Sequence, residues 1–201
     1  MRELNVVCVD AEATAFATFQ CHNQKVIENQ GGIFFSYIKS RDEPYLNQHW
    51  RIMRSTDGGK SFTVLIEGMD ATNPTPLETD AEGNLYFVTS YYSKGFSIIH
   101  KLTAESDYRE KKSLRIEGAS GGKYCMAWDE KRKRLYYMTN AKTDFVAVSA
   151  DLELLIQKIL INIGPLAELE YPALCMSPDG VLHCAYTTNT HGGYKINLGS
   201  T

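Results

Sequence analysis

The 201-residue sequence is short of most features that announce a function. No apolar run approaches the roughly twenty residues that a membrane-spanning helix needs, and the first residues do not read as a secretory signal. Lysine and arginine number 21 against 24 aspartates and glutamates, for a net charge of −3. That balance gives no electrostatic case for nucleic acid or an anionic membrane as partner, and the one basic run, Lys131 to Arg134, reads as a solvated turn. There is no glycine loop to cradle phosphate, no nucleophile elbow and no Cys/His spacing for zinc, so neither a metal nor a cofactor is expected. No Asn-x-Ser/Thr sequon occurs. The cysteines, Cys8, Cys21, Cys125, Cys175 and Cys184, are odd in number, and four sit in apolar strand patterns, so buried free thiols are expected rather than disulfides. These two absences lean toward a reducing, bacterial cytoplasmic setting; the alternative is secretion with the signal peptide outside this sequence. No long amphipathic helix pattern is found either.

What is present is a repeat. Gly32-Ile33-Phe34-Phe35-Ser36-Tyr37, Gly83-Asn84-Leu85-Tyr86-Phe87-Val88-Thr89, Arg134-Leu135-Tyr136-Tyr137-Met138-Thr139 and Gly180-Val181-Leu182-His183-Cys184-Ala185-Tyr186-Thr187 each read as a turn followed by an aromatic, β-branched or apolar strand. Their anchors Phe34, Leu85, Leu135 and Leu182 recur about every fifty residues, the length of one four-stranded propeller blade. Hairpin chemistry precedes three anchors, at Asp80 to Gly83, Asp129 to Lys133 and Ser177 to Gly180. A third strand follows at His49 to Arg54, Phe96 to Leu102 and Phe145 to Ser149, and a fourth at Phe62 to Glu67, Ser113 to Glu117 and Gln157 to Ile161. Leu152 to Leu160 has the composition of a short helix, but its place in the repeat predicts strand. The expected fold is all-β: a single β-propeller domain of four-stranded antiparallel blades over residues 20–68, 69–118, 119–164 and 165–201. About four blades are too few for a closed ring of six or seven, so a fragment, or a ring completed by a further segment or an oligomer partner, is expected. Leu4 to Val9 is expected to be a strand of the closing blade.

Ser55-Thr56-Asp57-Gly58-Gly59-Lys60-Ser61-Phe62 has the form Ser-x-Asp-x-Gly-x-x-aromatic. Asp57 can fold back onto backbone N–H groups, the glycines can take positive φ, and Phe62 can drop into apolar space beside the turn. The segment resembles the Asp box, or BNR repeat, of sialidase-like propellers. The resemblance implies that Ser55, Asp57, Gly59 and Phe62 shape a turn on the blade rim, away from substrate, with Asp57 structural and not catalytic.

It also implies a carbohydrate site on the inner strands near the axis. Asp42, beside Arg41 and ahead of the box, falls where sialidases carry an acid/base aspartate; the plain alternative is a solvated turn beside Pro44. The family's first arginine lies in a Phe/Tyr-Arg-Ile-Pro segment, and this chain has Cys21-His22-Asn23-Gln24 there, which counts against sialidase activity. His22-Asn23 instead resembles the His-Asn segment of BNR-type polysaccharide lyases, in which a neutral histidine serves uronate β-elimination. Tyr171-Pro172 through His183 to Thr187 resembles a late blade of such proteins, with His191 in the loop beyond. The candidates are therefore His22 and Asp42 as catalytic groups and Asn23, Arg41, Arg51 and His191 as binding groups, with Arg54 a further arginine. A structural role for His22 and simple exposure of His191 stay open, and His49, His100 and His183 read as structural. Tyr45, Trp50, Tyr91, Tyr92, Trp128, Tyr136 and Tyr137 are able to stack on sugars, although strand aromatics more often fill the space between blades. The expected ligand is a glycan, handled in a glycosidase-like or lyase-like way; the alternative is a non-catalytic binding or scaffold module.

Overall fold

A computed structural model describes residues 6–13, 17–19, 23–43, 47–71, 73–140, 144–159, 169–190 and 193–200. Four antiparallel meanders follow one another along the chain. The first is β1 (Val26–Asn29), β2 (Gly32–Glu43), β3 (Asn47–Ser55) and β4 (Thr63–Ala71). The second is β5 (Leu77–Thr79), β6 (Leu85–Tyr91), β7 (Phe96–Leu102) and β8 (Lys111–Glu117). The third is β9 (Tyr124–Asp129), β10 (Arg134–Thr139), β11 (Asp144–Ser149) and β12 (Leu154–Ile159). The last, among the described residues, has three strands, β13 (Leu169–Met176), β14 (Leu182–Thr190) and β15 (Gly193–Ser200). The chain is a β-propeller, and its sheets are the blades.

All four anchors lie on the second strand of their sheet, and along β6 and β10 both faces are covered. Along β6, Leu85 and Phe87 pack toward the first sheet with Phe34, Ile52 and Leu77. Tyr86 and Val88 pack toward the third sheet with Tyr124, Trp128, Leu135 and Tyr137. Successive side chains of a strand point to opposite faces, so a strand between two blades must be apolar at nearly every position. Burying each such side chain contributes about 1.5–3 kcal/mol. The third-to-fourth junction is smaller, with Ala127, Tyr136, Ala147 and Leu182. Within this segment β12 is strand over Leu154–Ile159, as its place in the repeat predicted; Leu152 takes a φ of 65°, which ends the preceding turn.

First strands of successive sheets touch one another, as β1 does β5, β5 does β9 and β9 does β13. They therefore lie innermost, beside the axis. Leu77 N donates to Gln24 O at 2.8 Å just above β5.

Two expectations change. The described residues 6–9 form no strand; Val6 is 90% exposed and finds no sheet edge. The residues that follow reach the first sheet, where Ala17 O accepts Ile38 N of β2 at 2.9 Å. Asp10 there accepts Arg51 Nη1 at 2.6 Å and the Tyr37 hydroxyl. The described cysteines are free, but Cys8 and Cys175 are exposed, while Cys125 is buried. Cys175 alternates with Leu174 and Met176, which pack on the third sheet, so its own side chain faces outward.

Candidate functional site

A meander puts its loops at two ends. The β2–β3, β6–β7 and β10–β11 connections share the upper end with the links between sheets; the β1–β2 and β3–β4 turns lie at the lower end. Arg41 pairs with Gln48 and Glu43 with Asn47 across an irregular register, so Arg41 and Asp42 sit near the upper end of β2. Asn23, just before β1, is at the same end. His22 and His191 lie outside the described residues. Arg51 is in the middle of β3, and its guanidinium is already engaged: Nε meets Glu67 Oε2 at 2.8 Å, Nη2 meets it at 2.7 Å, and Nη1 takes Asp10. Burial works against Asp10's charge, yet hydrogen bonds from Tyr37, the Glu12 amide and Arg51 hold its carboxyl below the ordinary range.

The upper axial end is organised around Gly121 to Tyr124. Asn23 Nδ2 donates to Tyr124 O at 2.9 Å, reaching from the first sheet to the third above the short strand β5. Asn73 Nδ2 donates to Gly122 O, and the Tyr124 hydroxyl donates to Asn73 O at 2.8 Å. Asn140 accepts Lys123 N and donates its own N to Lys123 O, both at 2.9 Å. Ser90 Oγ donates to Gly121 O at 2.7 Å. A side chain at Gly121 would begin 2.6 Å from Asn140 Oδ1, so the hub packs around a bare backbone.

Asn23, Asn73, Lys123 and Tyr171 stand at the start of successive first strands, about fifty residues apart, one per blade. Tyr171 is the unusual member. It lies in a register break of β13 between Glu170 and Ala173, with φ at 52°. A bulky residue in the left-handed region is strained, and a bulge of this kind re-aims a side chain. The ring is exposed and the Lys123 ammonium sits 4.2 Å from its centroid, a cation–π contact.

Below this hub Glu78 projects from β5 toward β9. The residue keeps part of its surface accessible, but its carboxyl group is enclosed and takes the Trp128 N–H, and burial pushes it up to about 8. It is thus a neutral acid at pH 7. Nothing in Pro76-Leu77-Glu78-Thr79 singled it out. The signal that would have found it is parity: Leu77 faces the first sheet, so the next residue on an innermost strand must point a carboxyl into the second wedge. Likewise the period that located the anchors also aligns Lys123 and Tyr171 with Asn23.

At the lower end the 55–62 turn closes on itself. Asp57 Oδ1 accepts Lys60 N at 2.9 Å and Ser61 N at 3.0 Å, its Oδ2 accepts Ser61 Oγ at 2.6 Å, and Ser55 Oγ donates to Oδ1 at 2.7 Å. Gly58 and Gly59 take φ of 74° and 84°, and Phe62 is half-buried. Hydrogen bonds from the Ser61 hydroxyl and amide and from Ser55 hold the Asp57 carboxyl far below its usual range. Asp57→Ala is expected to lower the melting temperature and to leave ligand affinity at the upper end unchanged; calorimetry paired with a binding titration on the same sample checks both. Among the described residues no group of three or more His, Cys, Asp or Glu is arranged to hold a metal ion.

No protein-family model matches the chain, and no curated protein matches it in sequence. Solved structures do match in shape. A protein of unknown function from Dyadobacter fermentans superposes with a TM-score of 0.61 at 16% identity, over 88% of this chain and 52% of that one. A protein of unknown function from Bacteroides thetaiotaomicron does so with a TM-score of 0.51 at 16% identity, over 88% and 43%. An endo-arabinase from the same organism superposes more loosely, with a TM-score of 0.47 at 13% identity, over 88% and 73%. The chain spans about half the length of the first two. At such identities the likeness is one of fold.

Proposed function

We propose that this chain is the carbohydrate-recognising part of a sialidase-like propeller, that Ser55 to Phe62 is its Asp box, and that a glycan lies across the upper axial end over Tyr171 and Lys123. The rest of the ring comes from a further propeller segment or an oligomer partner, and the blades run over 20–68, 69–118, 119–164 and 165–201 of one domain. The observation that carries the reading is Tyr171, exposed and held at a left-handed angle in a bulge beside an ammonium. Strain of that kind concentrates at ligand sites, and an aromatic face beside hydrogen-bonding groups suits a sugar ring. Asn23, Arg41 and Asp42 are proposed to serve the same end, with His22 and His191. Hydrolysis would use Asp42 as acid/base; elimination would use His22 as base.

One observation favours the second reading, a non-catalytic binding or scaffold module. Arg51 spends its charge on Asp10 and Glu67, so it adds little to a carboxylate-binding arginine cluster. Titrating neutral and uronate-containing oligosaccharides by calorimetry tests the proposal. Tyr171→Ala is expected to weaken the best binder about tenfold or more; unchanged affinity, or no binding by any member of the panel, refutes it. Turnover abolished by His22→Ala or by Asp42→Asn separates elimination from hydrolysis, and binding without turnover leaves the module.

A further inference from the structure

We propose a copper(I) site of three sulfurs in the wedge between the third and fourth blades, held by Cys125 of β9, Met138 of β10 and Cys184 of β14. It goes beyond the carbohydrate reading and shares no residue with it. Strand alternation builds it. On β9, Tyr124, Met126 and Trp128 pack toward the second sheet, so Cys125 faces the fourth. On β10, Leu135 and Tyr137 pack toward the second sheet, so Met138 also faces the fourth. The register sets Met138 directly opposite Cys125, which makes them neighbours on one face.

The fourth blade brings the third sulfur. Leu182 and Cys184 alternate onto the wedge side of β14, and the Cys184 thiol donates to Met138 Sδ at 3.5 Å. Cys125, Met138 and Cys184 pack in one cluster with Leu174. Two sulfurs that share an ion at about 2.3 Å stand about 3.8–4 Å apart, so seating one asks for only a small parting of the Cys184–Met138 pair. Cys125 and Met138 are buried, whereas Cys184 is half-buried and opens the cluster to solvent.

The donor set selects the ion. Among the described residues no histidine, carboxylate or third cysteine completes these sulfurs into a larger ligand group. Zinc asks for four donors, and calcium or magnesium for oxygen; two thiols and a thioether suit copper(I), a soft ion. Burial pushes the Cys125 thiol well up and the Cys184 thiol up to about 11. Both stay protonated, and so are poor nucleophiles, until a cation supplies the compensating charge. On binding, each cysteine gives its S–H proton to solvent as its metal–sulfur bond forms, and the Met138 thioether adds a lone pair. The copper keeps its oxidation state. The bound ion ties the β9–β10 pair to β14 across the smaller junction.

An anaerobic titration tests the proposal, with copper(I) presented on the coloured chelator bicinchoninate to the Cys8→Ser/Cys21→Ser/Cys175→Ser protein, which keeps only Cys125 and Cys184. A single equivalent is expected to leave the chelator, and loading is expected to raise the melting temperature. Cys184→Ala in that background is expected to take up none. Met138→Leu, close in volume, is expected to keep the fold by circular dichroism and to weaken uptake about tenfold or more. An equal amount of zinc(II) is expected not to compete. No copper withdrawn, a melting temperature unmoved by loading, full uptake in Cys184→Ala, unchanged affinity in Met138→Leu, or displacement by zinc each overturn it.

Discussion

Gly32→Ala is expected to unfold the first blade. Two penalties fall on one atom. The backbone holds φ at 126°, where side chains are rarely tolerated, and the new Cβ would lie 2.1 Å from Ser55 O. That oxygen belongs to the strand entering the 55–62 turn, so relief requires the hairpin and the turn to part. Backbone strain and overpacking together cost about 3 kcal/mol or more, a large share of the roughly 5–15 kcal/mol of a typical domain. Gly58→Ala is the control, since φ there is 74° but nothing lies within 4 Å of the added carbon. It carries the conformational cost alone, about 1–2 kcal/mol. Urea unfolding of both variants measures the difference, and equal midpoints would show that the close approach of Gly32 to Ser55 contributes nothing.

The second large effect is on pH dependence. His100 is buried between the Thr89 hydroxyl at 3.1 Å and the Ser113 hydroxyl at 2.8 Å, with its ring stacked 4.5 Å from that of Phe87. Burial, with Lys111 nearby, pushes it down to about 3 from an ordinary 6.5. Between those values the unfolded chain binds a proton that the native state refuses, so stability falls as pH drops through this range. Glu78 behaves in the opposite sense: it keeps its proton to about 8 in the fold but loses it near 4.5 when unfolded. Stability therefore falls as pH rises from about 4.5 to 8. Each group contributes a slope of up to about 1.4 kcal/mol per pH unit, and the two cancel where their ranges overlap. The pair should give a plateau between about pH 4.5 and 6.5, with losses on both sides. Glu78→Gln should remove the alkaline limb and keep the acid one. Chemical unfolding from pH 3 to 9 reads both, and an alkaline limb that persists in Glu78→Gln assigns it elsewhere.

Most of the fold was legible because its determinants are local. Hairpin residues such as Ser177-Pro178-Asp179-Gly180 and the anchors Phe34, Leu85, Leu135 and Leu182 act within a few residues of themselves, so a period near fifty survives in the sequence. Leu4 to Val9 misled for the same reason: the pattern is strand-like, but a strand exists only where an edge accepts it, and edges are not written locally. The candidate site was legible as a region and not as a set of side chains. Tyr171 owes its exposure to a bulge, Glu78 its proton to burial against the neighbouring blade, and Asn23 its partner to a tyrosine carbonyl about one hundred residues onward. Each depends on how separate blades converge, which no window of sequence contains.

That convergence also bears on how the protein is made. Within every sheet, each strand pairs with its neighbour in the chain. Loop closure is inexpensive over such short separations, and local topologies fold fast. A ribosome releasing the chain from its N-terminus delivers each meander whole before the next begins, so the first blade can assemble while the third is still being synthesised. The Asn23–Tyr124 bond cannot form until the third blade's inner strand has emerged. It is a late-closing clasp, and until it shuts the young chain is a row of independent sheets whose apolar faces depend on the next one arriving.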